Sequence, residues 1–147
     1  MVKLTVMYTL PEGADHEAFL KWRTTEHQEE NMGIPGVIKS DFYTVREIYT
    51  HGSGGTASVK EKTYMDLTRA QQPASETREQ VQEPAAKDRL QPQPLFYRYI
   101  TEAYWPDMKS FKSAFFDPGY QKKLMDSLKK IAHPVFLVSE EVLSAVK

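Results

Sequence analysis

The sequence predicts an α+β domain built on an antiparallel sheet with helices on one face, and three observations carry that prediction. Four separated stretches are rich in β-branched and aromatic residues, stretches with helical spacing and capping residues lie between them, and the order reads β–α–β, a core-poor segment, then β–α–β. In the first stretch Val2, Leu4, Val6, Tyr8 and Leu10 alternate with Lys3, Thr5, Met7 and Thr9, the period of a half-buried strand. Pro11, Glu12 and Gly13 break it, and Asp15 stands where a side-chain oxygen caps a helix running to about Glu30. The turn Met32-Gly33-Ile34-Pro35-Gly36 stops that helix. Val37 to about Thr50 then reads as one long second strand, rich in Val, Ile, Phe and Tyr.

Composition changes between His51 and Pro94, where Gly and Pro stand amid Gln, Ser, Glu and Lys. So few apolar anchors cannot offset the entropy of ordering, which predicts an arm or insertion at about 51–94 on an otherwise single domain of 1–147. Within it only Val59 to Leu67 carries a pattern, and that pattern fits a helix or a strand equally. Leu95 to Trp105 is the most β-prone segment, with Phe96 and Tyr104 on one face and Tyr97, Tyr99 and Trp105 on the other. A strand apolar on both faces is covered on both. Asp107 caps a short helix through Met108, Phe111 and Phe115, and Asp117-Pro118 starts another in which Tyr120, Leu124, Leu128 and Ile131 recur at helical spacing. Pro134 is expected to end it, and Val135 to Val138 to begin the last strand. This is the βαββαβ, ferredoxin-like order, in which helices cover one side of the sheet only. The open side needs a cover, and a second copy of the sheet supplies one, so a homodimer is expected.

Composition excludes several functional classes. The 147 residues carry 19 Lys plus Arg against 20 Asp plus Glu, a net charge of -1, so no basic excess is available for nucleic acid or anionic membranes. There is no cysteine, which removes disulfide scaffolds, thiolate metal sites and cysteine nucleophiles. No apolar run approaches the roughly 18 residues of a membrane span, and the N-terminus lacks a secretory apolar core; a soluble, unprocessed, cytoplasmic protein is expected. His16, His27, His51 and His133 show no metal-binding spacing, nothing points to haem, and Gly52-Ser53-Gly54-Gly55 opens no amphipathic helix that would cradle phosphate. No metal and no cofactor are expected.

The segments Met1 to Tyr8, Pro11-Glu12-Gly13, Phe19-Leu20-Lys21-Trp22, Glu26-His27 and Ile34-Pro35-Gly36-Val37, with Phe111, Phe115 and Phe136 to Glu141, resemble the EthD-like family of dimeric α/β barrels. The likeness covers about two thirds of the chain, and the stretch from His51 to Pro94 departs from it. The resemblance implies two ferredoxin-like subunits packed sheet to sheet, each with a cleft between helices and sheet. It also implies an oxidoreductase or a lyase or isomerase that needs no organic cofactor and acts on aromatic polyketides or lactones, as a cyclase, isomerase, decarboxylase or monooxygenase. Fold alone does not choose among these.

His27 stands out among the residues. Counting about 100° per residue from Phe19, Leu20 falls near 100°, Arg23 near 40° and His27 near 80°, so His27 lies on the apolar arc. That arc turns polar at Arg23, Glu26, His27 and Glu30, as expected of a helix end bordering a polar cavity. His27 is there either a general base oriented by Glu30 or a hydrogen-bonded structural histidine near a helix C-terminus. Tyr8, Tyr43, Tyr97, Tyr99 and Trp105 lie on strands and either line a cleft for flat ligands or pack the core. Arg98 and Glu102 read as an ion pair with each other or with Arg46 or Glu47. His133, before Pro134, is a turn residue or a second base.

Two functions remain open. One is an enzyme in which His27 removes a proton from a phenol or a carbon next to a carbonyl, Arg23 or a tyrosine holds the resulting oxyanion, and Phe19 and Trp22 exclude water. The other is a non-catalytic accessory or binding dimer whose cleft is filled by its own side chains.

Overall fold

The computed structural model describes residues 1–51 and 89–147, so the segment Val59 to Leu67 lies outside the described residues. The chain divides into two compact units, Met1–Thr44 with Tyr97–Lys147, and Val45–Phe96.

In the first unit, β1 (Val2–Thr9) leads to α1 (His16–Thr24) and α2 (Glu26–Met32), then to β2 (Lys39–Thr44). The second unit contributes β3 (Ile48–His51) and β4 (Leu90–Gln93), an antiparallel pair with Ile48 opposite Gln93 and His51 opposite Leu90. The first unit resumes with β5 (Tyr99–Trp105), α3 (Met108–Phe115), α4 (Pro118–Leu128) and β6 (Ala132–Glu140). Its sheet has the order β2-β5-β1-β6 with every pair antiparallel, which is the ferredoxin-like topology.

The caps act as their chemistry predicts. Asp15 accepts from the Ala18 N–H at 3.0 Å, Asp107 from Ser110 at 2.7 Å and Asp117 from Tyr120 at 3.0 Å. The expected single helix from Asp15 to Glu30 is instead two, broken at Thr25 (φ −117°, ψ −93°). The Thr24 and Thr25 hydroxyls donate to the Leu20 and Lys21 carbonyls at 2.7 and 2.6 Å, an alternative to the regular ladder that bends the chain where two β-branched residues adjoin.

Strand ends also moved. Val37 to Thr50 is split between β2 and β3, because Thr44 pairs with Tyr99, the first residue of β5, and the ladder has no partner beyond it. For the same reason the strand expected from Leu95 begins at Tyr99. Pro134 does not end α4, which stops at Leu128; it lies inside β6, an edge strand where a missing N–H is tolerated. His133 takes φ 53° there, and the ladder with β1 shifts register between Met7 and Thr9.

One face of the sheet carries the core in two clusters. Val2, Leu4, Ala103 and Trp105 pack with Phe111 and Ala114 of α3, while Tyr8, Leu10 and Tyr99 pack with Phe19 of α1. Trp105 is fully buried, and its Nε1 donates to the Pro35 carbonyl at 3.1 Å. Gly36 is required beside it: its φ is +78°, and a Cβ would stand 3.2 Å from Trp105 Cδ1. The other face is mixed. Lys3 pairs with Glu102 at 3.1 Å and Lys39 with Asp41 at 2.9 Å, while Tyr43 and Leu137 are about half exposed. Among the described residues of this unit Glu102 therefore pairs across the ladder with Lys3 and not with Arg98; Lys3 sits opposite Tyr104, diagonal to Glu102, whereas Arg98 precedes β5 and gives its N–H to the Tyr8 carbonyl.

Candidate active site

Between the two core clusters lies a cavity of about 300 Å³. Leu4, Val6 and Tyr8 of β1 with Thr101 and Ala103 of β5 form its floor, α1 and α2 form one wall, and α4 the other. The lining is mostly apolar with a few polar groups at defined places, the usual makeup of a small-molecule site.

At the floor the polar groups converge. Tyr8 Oη lies 3.2 Å from Thr101 Oγ1, and an Arg23 terminal nitrogen donates to the same Oγ1 at 3.2 Å. Arg23 is only 1% exposed, its guanidinium carbon lies 4.5 Å from the Phe42 ring centre, and its Nε has no hydrogen-bond partner. Burial pushes the Tyr8 hydroxyl above its ordinary pKa, with Thr101 and Arg23 pulling the other way, so it stays a neutral donor near pH 7. Burial also lowers the pKa of Arg23, yet a guanidinium keeps its proton.

Toward the α2 side stands His27. Its ring stacks on Trp22 at 4.3 Å between centres, Lys130 Nζ lies 4.8 Å from the Trp22 ring centre, and Nδ1 lies 3.1 Å from Glu30 Oε2. Burial depresses the His27 pKa below its usual value, and the Arg23 and Lys130 charges add to this against the pull of Glu30. The imidazole is therefore neutral near pH 7. With Nδ1–H assigned as donor to the Glu30 carboxylate, Nε2 carries the free lone pair.

Of the residues singled out from sequence, the cavity gathers Tyr8, Phe19, Trp22, Arg23 and His27. Five others lie outside its lining. Tyr43 is on the opposite sheet face and donates to Asp41 at 3.3 Å. Tyr97 is half-buried ahead of β5. Tyr99 belongs to the core, with its hydroxyl 2.6 Å from His16 Nδ1, and Trp105 is core as well. His133 is exposed at the β6 irregularity. The continuous wheel placed His27 correctly on the inner arc although the helix is broken, since one distorted residue at Thr25 returns α2 to the same side.

Sequence reasoning missed Thr101 and the α4 wall, which supplies Asp117, Tyr120, Lys123 and Ser127. Both left a signal: Thr101 is the one polar position on the inward face between Tyr99 and Ala103, and Tyr120, Lys123 and Ser127 sit at spacings of three and four beside the apolar positions Leu124 and Leu128. Among the described residues no cluster of three or more His, Asp or Glu side chains is placed to hold a metal, and no helix is long and apolar enough to cross a membrane.

An antiparallel ferredoxin-like sheet with a polar-floored cavity under its helices is the architecture of the dimeric α/β barrel class. Within that class the chain belongs to the EthD family, whose domain model matches residues 11–133. No curated protein matches it in sequence. Among solved structures it is similar to an ethyl tert-butyl ether degradation (EthD) family protein from Bacillus halodurans, at 17% identity and TM-score 0.56 over 97% of this chain and 99% of that one. It is also similar to SnoaB, a cofactor-independent oxygenase from Streptomyces nogalater, at 10% identity and TM-score 0.53 over 99% and 97%. A third likeness is to the hydroxynitrile lyase of Passiflora edulis, at 10% identity and TM-score 0.52 over 97% and 96%. At these identities the likeness is one of fold.

Proposed function

We propose that the protein is a small enzyme that needs no organic cofactor and moves a proton on an aromatic or polyketide-like molecule held in this cavity. The observation that carries the reading is the neutral, half-buried His27 lining the same cavity as the cationic Arg23 and the neutral hydroxyl of Tyr8. A base and an oxyanion site in one apolar enclosure are what abstraction of a proton from a phenol or from a carbon beside a carbonyl requires. In the forward step His27 Nε2 takes the proton, Glu30 stabilises the imidazolium through Nδ1–H, and Arg23 with Tyr8 holds the oxygen on which negative charge collects. Phe19 and Trp22 cover the apolar body of the substrate. Cyclisation, isomerisation, loss of a carboxyl group or reaction with oxygen would follow from the same carbanion. The similarity in fold to a cofactor-independent oxygenase and to a hydroxynitrile lyase supports this class of chemistry.

The test is a binding screen of aromatic acids, phenols and lactones by Trp22 fluorescence, followed by NMR of proton exchange in D₂O at the acidic position of each binder. Exchange faster than in buffer is expected. Binding across the panel with exchange at the buffer rate would favour the accessory, non-catalytic reading instead.

We also propose a cytoplasmic homodimer packed through the open sheet face, where Tyr43 and Leu137 leave apolar area exposed between the ion pairs. Light scattering at micromolar concentration should return twice the chain mass of 16.9 kDa, and a monomer there would remove the proposal.

A further inference from the structure

We infer that Gln28 is a charge-neutral clamp that fixes Arg23 while leaving its positive charge free, and that the cavity thereby selects aromatic molecules bearing an anionic oxygen over their neutral isosteres. The inference rests on the reading above only in sharing Arg23 as the group that meets the ligand's oxygen.

A buried arginine is ordinarily held by a carboxylate, which forms a forked pair and cancels its charge. Arg23 is held differently. One terminal nitrogen donates to Gln28 Oε1 at 2.7 Å, the other to Thr101 Oγ1 at 3.2 Å, and the plane lies over the Phe42 ring. All these partners are uncharged, and no ion pair to Arg23 exists among the described residues. The two carboxylates that line the cavity are engaged elsewhere: Glu30 with His27, and Asp117 with the Tyr120 N–H at the start of α4.

The amide of Gln28 is itself oriented. Its Nε2 donates to the Ser40 carbonyl at 3.0 Å, on the edge strand β2, so Oε1 must face Arg23. Glutamate, the same length, could accept from Arg23 but could not donate to Ser40. The arrangement thus ties α2 to β2 and positions the guanidinium without neutralising it. A cation 1% exposed, with no carboxylate against it and its side chain lining an apolar cavity, is stabilised most by an anion that enters the cavity. An enclosed charge-assisted bond of this kind favours the anion over an uncharged isostere by about tenfold or more.

The experiment uses 2-naphthoate and its neutral isostere 2-naphthamide as probes, with affinities from Trp22 quenching and calorimetry on wild type, Gln28→Glu and Arg23→Met. Wild type should prefer naphthoate by about tenfold or more, and Gln28→Glu should lose that preference while naphthamide affinity moves by less than about threefold. Naphthamide binding reports that the cavity is intact, and circular dichroism that the fold is, since Gln28→Glu gives up the bond to Ser40. Equal binding of the two probes by wild type, binding of neither, or a folded Gln28→Glu protein that still prefers naphthoate would overturn the inference. Should Gln28→Glu not fold, Arg23→Met decides, because a preference that survives without the guanidinium does not come from it. Discrimination of the probes by a protein that never accelerates proton exchange would retire the proton-transfer reading and leave the anion site standing.

Discussion

His27→Gln should lower the rate of proton exchange on a bound ligand by about 10²–10⁴-fold, the range usual for removal of a positioned general base. Glutamine can still donate to Glu30, so the substitution keeps the local hydrogen bond and removes the titrating lone pair. The pH profile is the sharper readout. Burial lowers the His27 pKa below the ordinary imidazole value, so the wild-type rate should be flat through about pH 7 and fall only on the acid side of the ordinary imidazole range. In that same acid window the unfolded chain binds a proton that the folded one resists. Stability therefore rises with pH up to about 6.5, and the glutamine variant should lack that slope. A variant with the wild-type rate and an unchanged acid limb would assign His27 to structure alone.

Arg23→Met should separate function from stability. Loss of an oxyanion-holding donor in an enclosed site costs about 10²–10³-fold in rate. Folding, by contrast, should change by less than about 2 kcal/mol. Removing a desolvated cation is favourable, and it offsets the cost of leaving Gln28 Oε1 and Thr101 Oγ1 short of a donor. The check is a thermal melt beside the exchange assay on the same preparation. A protein that melts far below wild type but exchanges normally per folded molecule would show that Arg23 is there for packing against Phe42 and not for the ligand.

The sequence by itself determined the β–α–β order, the three aspartate caps and the inward arc that carries Phe19, Arg23 and His27. These are local properties: alternation and helical period state which side chains share a face, and a cap needs only its own next three residues. What lies across from a face is not local, and there the tertiary structure decided. Tyr8 and Tyr99 have the same residue type and both face inward, yet Tyr8 borders empty space while Tyr99 is closed over by His16, Phe19 and Phe42. Tyr43 faces the other way because Lys39, Asp41 and Tyr43 follow the parity of Tyr104, Glu102 and Ile100 opposite them. Strand lengths were likewise settled by partners, since β2 ends where β5 has no residue left to pair. The Thr101 hydroxyl, the Gln28 amide and the α4 wall enter the site from separate parts of the chain, and only the packing of α1, α2 and α4 over one sheet face brings them to Arg23 and His27, because a cavity is defined by the surfaces that fail to meet.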